Sequence, residues 1–102
     1  MPDELAEIRA DALDTCRDIL EWRTTGEQWE TIEKLVGVLG QAVLAGDWSS
    51  VRSATAELEL NGPNRIKLAG EKEPPKEPAP PLRERVAETI IELEKQQPPP
   101  AK

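Results

Sequence analysis

Apolar residues recur at helical spacing through the first sixty positions, stop, and resume once near the end. Leu5, Ile8, Ala12, Cys16 and Ile19 fall in one stripe at 100° per residue, flanked by Leu13 and Leu20. This predicts a first helix from about Pro2 or Asp3 to Trp22, its N-terminus suited by the early proline and by Asp3, Glu4 and Glu7. Glu4, Glu7, Asp11, Asp14, Asp18 and Glu21 occupy the opposite arc, so one side is apolar and the other almost purely acidic.

Thr24-Thr25-Gly26-Glu27-Gln28 ends that helix and opens a second. Either Thr24 with Glu27 or Thr25 with Gln28 has the spacing of a capping box. Trp29, Ile32, Leu35, Val36, Leu39 and Val43 share the apolar face, and Gly46, in the left-handed conformation, should close the helix after Ala45. Gly37 and Gly40 lie inside it, each costing about 1 kcal/mol against alanine. Gly40 projects within the apolar arc, where close approach of a neighbouring helix would offset the cost.

Asp47 is a natural N-cap for a third helix that buries Trp48, Val51, Ala54, Thr55 and Leu58. Asn61-Gly62-Pro63 stops it, because glycine permits positive φ and proline cannot continue the hydrogen-bond ladder. Such short connections make consecutive helices antiparallel neighbours. The expected fold is all-α, with an antiparallel three-helix bundle over residues 1–62.

Asn64 to Ala69 alternates polar and apolar residues like a short extended segment, and Gly70 to Pro81 is Pro, Glu and Lys. Residues 63–81 therefore read as an extended, proline-rich linker. Over 82–96 helical spacing returns, with Leu82, Val86, Ile90 and Leu93 on one face and Ile91 nearly opposite; residues 97–102 form a proline-rich tail. A helix of about 15 residues is marginal alone in water, so this one must dock. It can fold back as a fourth helix on its own bundle, or act as a tethered ligand for a groove on another protein. Ile91 favours contact on a second face in either case.

Composition narrows the function. The 102 residues include no His, no Phe, no Tyr and one Cys, and carry a net charge of −7. Nucleic-acid binding calls for a basic footprint, and an anionic membrane surface repels an acidic chain. Absence of His removes Ser/His and Cys/His nucleophilic pairs and His/Cys zinc sites. No apolar run reaches the roughly 18 residues of a membrane span, and the acidic start is unlike a signal peptide, so the expected location is cytoplasmic. No cofactor or metal is implied. A bundle near 60 residues buries only about 60% of its unfolded surface, and a partner completing the core would make sense.

Several features bear on recognition. Charge runs are usually solvated, but six carboxylates repel at i,i+4 spacing, and a basic patch on a partner would relieve them and steer association. An exposed helix face offers no desolvated pocket for acid–base chemistry. Trp29 and Trp48 lie on apolar stripes and read as core. They stand at opposite ends of the second helix, about 25–30 Å apart at 1.5 Å per residue, so the tryptophans form no single cage. Trp22, at the edge of its stripe, is the better candidate for a partner contact. Cys16 sits mid-stripe as a small hydrophobe. The P-x-x-P spacings from Pro75 to Pro81 are common in proline linkers, and the glycines of the second helix lack the strand and Gly-Lys-Ser/Thr of a phosphate loop.

The run Leu58-Glu59-Leu60-Asn61-Gly62-Pro63-Asn64-Arg65-Ile66, followed by prolines and by Pro81-Leu82-Arg83-Glu84-Arg85-Val86, resembles the CATRA-associated small proteins. These are found beside caspase-like and TPR-containing components of bacterial conflict (immune-type) systems. The likeness covers most of the chain, including Ala45-Gly46-Asp47. The Glu/Lys-rich linker and the Glu92–Lys102 tail depart from it, which leaves the C-terminal contact open. The resemblance implies an adaptor or accessory role beside a caspase-like effector and brings no active-site residues. The expected partner is thus a protein, reached through Leu82, Val86, Ile90, Ile91 and Leu93, Trp22, and the acidic arc. The alternative is a purely structural subunit of an obligate helical oligomer.

Overall fold

The computed structural model describes residues 4–62 and 76–96. They form four helices: α1 (Glu4–Ile19), α2 (Gly26–Ala45), α3 (Trp48–Asn61) and α4 (Pro80–Lys95). The fold is all-α. Residues 63–75, the greater part of the expected linker, and the 97–102 tail lie outside the described residues.

Local chemistry explains most of the helix ends. At the start of α2, Thr25 is the cap, its Oγ1 accepting from the Gln28 N–H at 3.2 Å. The box is only half formed, because the Gln28 side chain turns away and donates to the Asn61 carbonyl at 2.6 Å, joining α2 to the end of α3. Gly46 closes α2 at φ 69°. The N–H of Gly46 donates to Val43 O and that of Asp47 to Ala42 O, the paired bonds of a Schellman motif. Asp47 then caps α3, accepting from the Ser50 N–H at 3.2 Å and the Ser50 hydroxyl at 2.7 Å.

Three boundaries differ from the sequence expectation. α1 ends at Ile19 rather than Trp22. Beyond it, Glu21 N–H donates to Asp18 O and Trp22 N–H to Ile19 O in tight turns, and the chain straightens so that Thr24 pairs with Lys76. At the end of α3, Gly62 has φ −67° and ψ 163°, not the expected positive φ. Pro63 disfavours helical backbone in the residue before it and holds Gly62 extended. α4 starts at Pro80 instead of Leu82, and Ala79 supplies no side-chain cap. Prolines at the first helical positions carry no N–H, so two donors that would need a cap do not exist.

α3 packs on both α1 and α2, and so does α4, while neither α1 with α2 nor α3 with α4 shows any close backbone approach. The expectation that α1 and α2 are packed neighbours is therefore corrected. They run oppositely but face each other across the core, with α3 and α4 inserted on either side. α4 runs antiparallel to α1, as Thr24 meets Lys76 and Arg9 meets Leu93, and parallel to α2, with Gly37 near Arg85 and Gly40 near Thr89.

The core draws on all four helices, through Ile8, Cys16 and Ile19, Ile32, Val36 and Leu39, Val51 and Leu58, and Leu82, Val86 and Leu93. Full burial of each large aliphatic contributes about 1.5–3 kcal/mol. α4 is thus the fourth wall of the bundle. Two contacts hold its ends. Arg9 Nε donates to the Leu93 carbonyl at 2.7 Å, satisfying one of the acceptors that a helix C-terminus leaves unpaired. Ahead of α4, Lys76 exchanges two backbone hydrogen bonds with Thr24, at 3.1 and 2.8 Å, and its carbonyl also accepts from the Trp29 indole at 2.8 Å. Pro78 is buried behind this strap, so the part of the expected linker that is described packs against the bundle.

Candidate interaction surface

The structure separates the expected contact residues into two groups. Leu82, Val86 and Leu93 lie inside the chain's own core, and Ile90 is packed against it, half-buried. The stripe of α4 is occupied intramolecularly because α1 and α2 leave a gap that only α4 fills. Ile91, on the other side of the helix, remains 51% exposed. Trp22 is half-buried and packs on the core and on Gly62. Trp29 is buried as expected, whereas Trp48 is only partly so.

Helical geometry over Glu4–Ile19 gathers Glu4, Glu7, Asp11, Asp14 and Asp18 on the solvent side of α1, and Glu21 is exposed in the following turn. Few cations answer them. Arg52 meets Glu4 at 3.2 Å, and Arg17 is shared between Asp14 at 4.0 Å and Glu94 at 3.7 Å. Among the described residues no cation lies within 4 Å of Glu7, Asp11, Asp18 or Glu21. These pairs are exposed and contribute little to stability. What the arc does is leave one edge of the molecule predominantly negative.

A second surface was not singled out by the sequence reading. Between the parallel helices α2 and α4 runs a groove of about 580 Å³, floored by Val36, Gly37, Gly40 and Thr89 and walled by Leu44 and Ile91. Leu44 is 63% exposed. A signal was available, since Leu44 is apolar yet falls off the stripe defined by Trp29, Ile32, Val36, Leu39 and Val43. More apolar residues than one face can hold point to a second contact. α4 is the neighbour at Gly40, but it comes no closer than usual: a Cβ there would lie 3.5 Å from Thr89 Oγ1, an ordinary contact, so the close approach expected there is not what requires the glycine.

Cys16 is fully buried, and desolvation pushes its thiol from 9.0 up to about 12, with Arg17 pulling weakly the other way. Such a thiol stays protonated at neutral pH and is a poor nucleophile. Among the described residues no three His, Cys, Asp or Glu side chains come together as a metal site. No helix among them is long and apolar enough to cross a membrane.

With this geometry in place, comparison with known families is informative. The model of the CATRA-associated small proteins matches residues 11–97. The chain belongs to that family. No curated protein and no solved structure matches it. The match spans α2, α3 and α4 entire and residues 11–19 of α1. The Glu92–Gln96 end of α4, which departs from the resemblance seen in the sequence, falls within the matched range.

Proposed function

We propose that this CATRA-associated small protein is a non-catalytic adaptor or accessory subunit of a bacterial conflict system, binding a caspase-like or TPR-containing protein component. Family membership over residues 11–97 is the observation that carries the reading. The buried, protonated Cys16 and the solvent-facing carboxylates are consistent with recognition rather than turnover. Its contact surfaces are the acidic arc of α1 and the exposed side of α4 at Ile91. The packed stripe of Leu82, Val86 and Leu93 supports them from beneath, and Trp22 fixes the turn beside the arc.

The same core weighs against an obligate oligomeric subunit. Four helices close it, and among the described residues no buried side-chain nitrogen or oxygen lacks a partner. The adaptor is expected to be a stable monomer that co-elutes with the caspase-like component of its system when the two are expressed together. Reversing the arc with Asp11→Lys, Asp14→Lys and Asp18→Lys should slow that association and remove most of its salt dependence. If the two proteins elute separately at micromolar concentration, the adaptor reading fails.

A further inference from the structure

Between Lys34 and Asp47 no residue is charged, the longest such stretch in a chain of which 32% is charged. It forms the second half of α2, and its apolar residues are not all spent on the core. Val38 and Leu44 are 54% and 63% exposed, on either side of Gln41 along the face of α2 turned away from α1. Two large aliphatic side chains on one uncharged, unpartnered helix face mark a contact surface. Charges close its two ends. Lys34 and Asp47 border one cleft beside α3 that also holds Val38 and Ala45. About 16 Å of helix separates Lys34 from Ala45 at 1.5 Å per residue, so the two ends do not neutralise each other within one chain. Among the described residues neither Lys34 nor Asp47 has an ion-pair partner.

Opposite charges at opposite ends of a neutral face suit an isologous contact, because a two-fold axis lays each end on the other. We propose that this face of α2 docks a second copy of the chain, antiparallel, about a two-fold axis at Gln41. Lys34 and Asp47 lie almost equally far from Gln41 along the chain, as do Gly37 and Leu44. The axis therefore sets Lys34 of each copy on Asp47 of the other, and each Leu44 over the Gly37 of the other copy. The Asp47 carboxylate accepts from the Ser50 N–H and hydroxyl, and its remaining lone pairs leave room for an ammonium. Each copy carries a net charge of −7, but the acidic arc lies on α1, across the core from α2. At 8–10 Å between packed helix axes the two arcs stand about 30 Å or more apart, several Debye lengths of about 8 Å. One helix face is smaller than the roughly 800 Å² per partner of a stable interface, so the dimer is reversible and the folded monomer prevails at micromolar concentration.

The test is sedimentation equilibrium of the full chain alone, at about 0.15 M salt, so its outcome is separate from that of the adaptor reading. The mean mass should stay near 11.3 kDa at about 10 μM and rise towards twice that value by about 1 mM. Lys34→Glu and Asp47→Lys should each weaken the dimer at least tenfold, because each sets like charges together at both ends of the contact. An equimolar mixture of these two variants should dimerise at least tenfold more tightly than either alone, since positions 34 and 47 are then of opposite sign across the axis. Val38→Glu, which leaves the Asp47 cap intact, should also weaken the dimer at least tenfold, with circular dichroism and melting confirming that each variant folds. Should Asp47→Lys fail to fold through loss of that cap, Lys34→Glu and Val38→Glu decide. A mass constant at 11.3 kDa up to about 1 mM overturns the proposal. So does a dimer indifferent to Lys34→Glu and Val38→Glu, which places the contact elsewhere, or a mixture no tighter than its components, which rules out the antiparallel register. A chain that stays monomeric while Val38→Glu abolishes co-elution with the caspase-like component also overturns it, and gives the face to that partner.

Discussion

The indole of Trp22 lies against Gly62 so closely that a Cβ on the glycine would come 2.9 Å from its Cζ2 and 3.0 Å from its Cη2. The contact joins the turn after α1 to the end of α3. Because Gly62 has φ −67°, alanine suits its backbone, and the cost of Gly62→Ala is steric alone. Overpacking of this kind costs about 1–3 kcal/mol. Urea unfolding should show Gly62→Ala destabilised by that amount, and the loss should largely vanish when Trp22→Leu is the background. Additive losses in the double-mutant cycle would mean that the two residues are uncoupled.

Leu93 gives a sharper test of the fourth helix. It is fully buried, while Ile91 two residues earlier faces solvent. Leu93→Ala should cost about 2–5 kcal/mol through lost burial and the cavity left behind. Ile91→Ala should stay within about 0.5 kcal/mol. Against a typical total of about 5–15 kcal/mol, the first change brings the domain near its limit. Deleting the chain from Pro80 onward should abolish cooperative unfolding, since α1 and α2 would then share an uncovered apolar face. Comparable losses from Leu93→Ala and Ile91→Ala would contradict the packing of α4.

The strap ahead of α4 depends on Trp29 as much as on Thr24. Trp29→Phe keeps an aromatic body but removes the N–H that donates to the Lys76 carbonyl. That carbonyl still accepts from the Thr24 amide, so the expected loss is about 1 kcal/mol rather than the full penalty of an orphaned group. Amide hydrogen exchange should rise at Thr24 and Lys76 and remain unchanged at Val36 and Leu58 in the core. Unaltered exchange at the strap would show that the indole does not hold it.

What was legible in the sequence was what is local. Thr25, Gly46 and Asp47 mark their helix ends because a cap involves groups within a few residues of one another. Ile8, Ile32 and Val51 were readable as core because their stripes repeat at helical spacing. The seat of α4 was not readable: an apolar stripe tells which side a helix buries, not against which surface. The strap escaped notice because the Trp29 indole and the Lys76 carbonyl are 47 positions apart. Gly62 was misread by weighing glycine's freedom above the restriction imposed by Pro63. The groove was missed because Leu44 falls one position after Val43, outside the stripe that the α2 pattern drew.

Cys16 links burial to pH. Its thiol is pushed up to about 12 in the folded chain from an ordinary value of 9.0. A raised folded value means that the stabilisation is fully present below the unfolded value and is lost as pH rises through the folded one. Between about pH 9 and 12 the unfolded chain can ionise this thiol and the folded chain cannot, which lowers stability by up to about 1.4 kcal/mol per pH unit. Cys16→Ala should be less stable by about 1–2 kcal/mol at pH 7, from lost packing. Lysine titration is common to both proteins, so the gap between them should narrow above pH 9 and can reverse by pH 11. Ellman's reagent at pH 8 should label Cys16 only at the rate of unfolding, and at once in 6 M guanidinium. Prompt labelling of the native protein, or a gap that stays constant to pH 11, would show that the thiol is not held in the dry centre of the bundle.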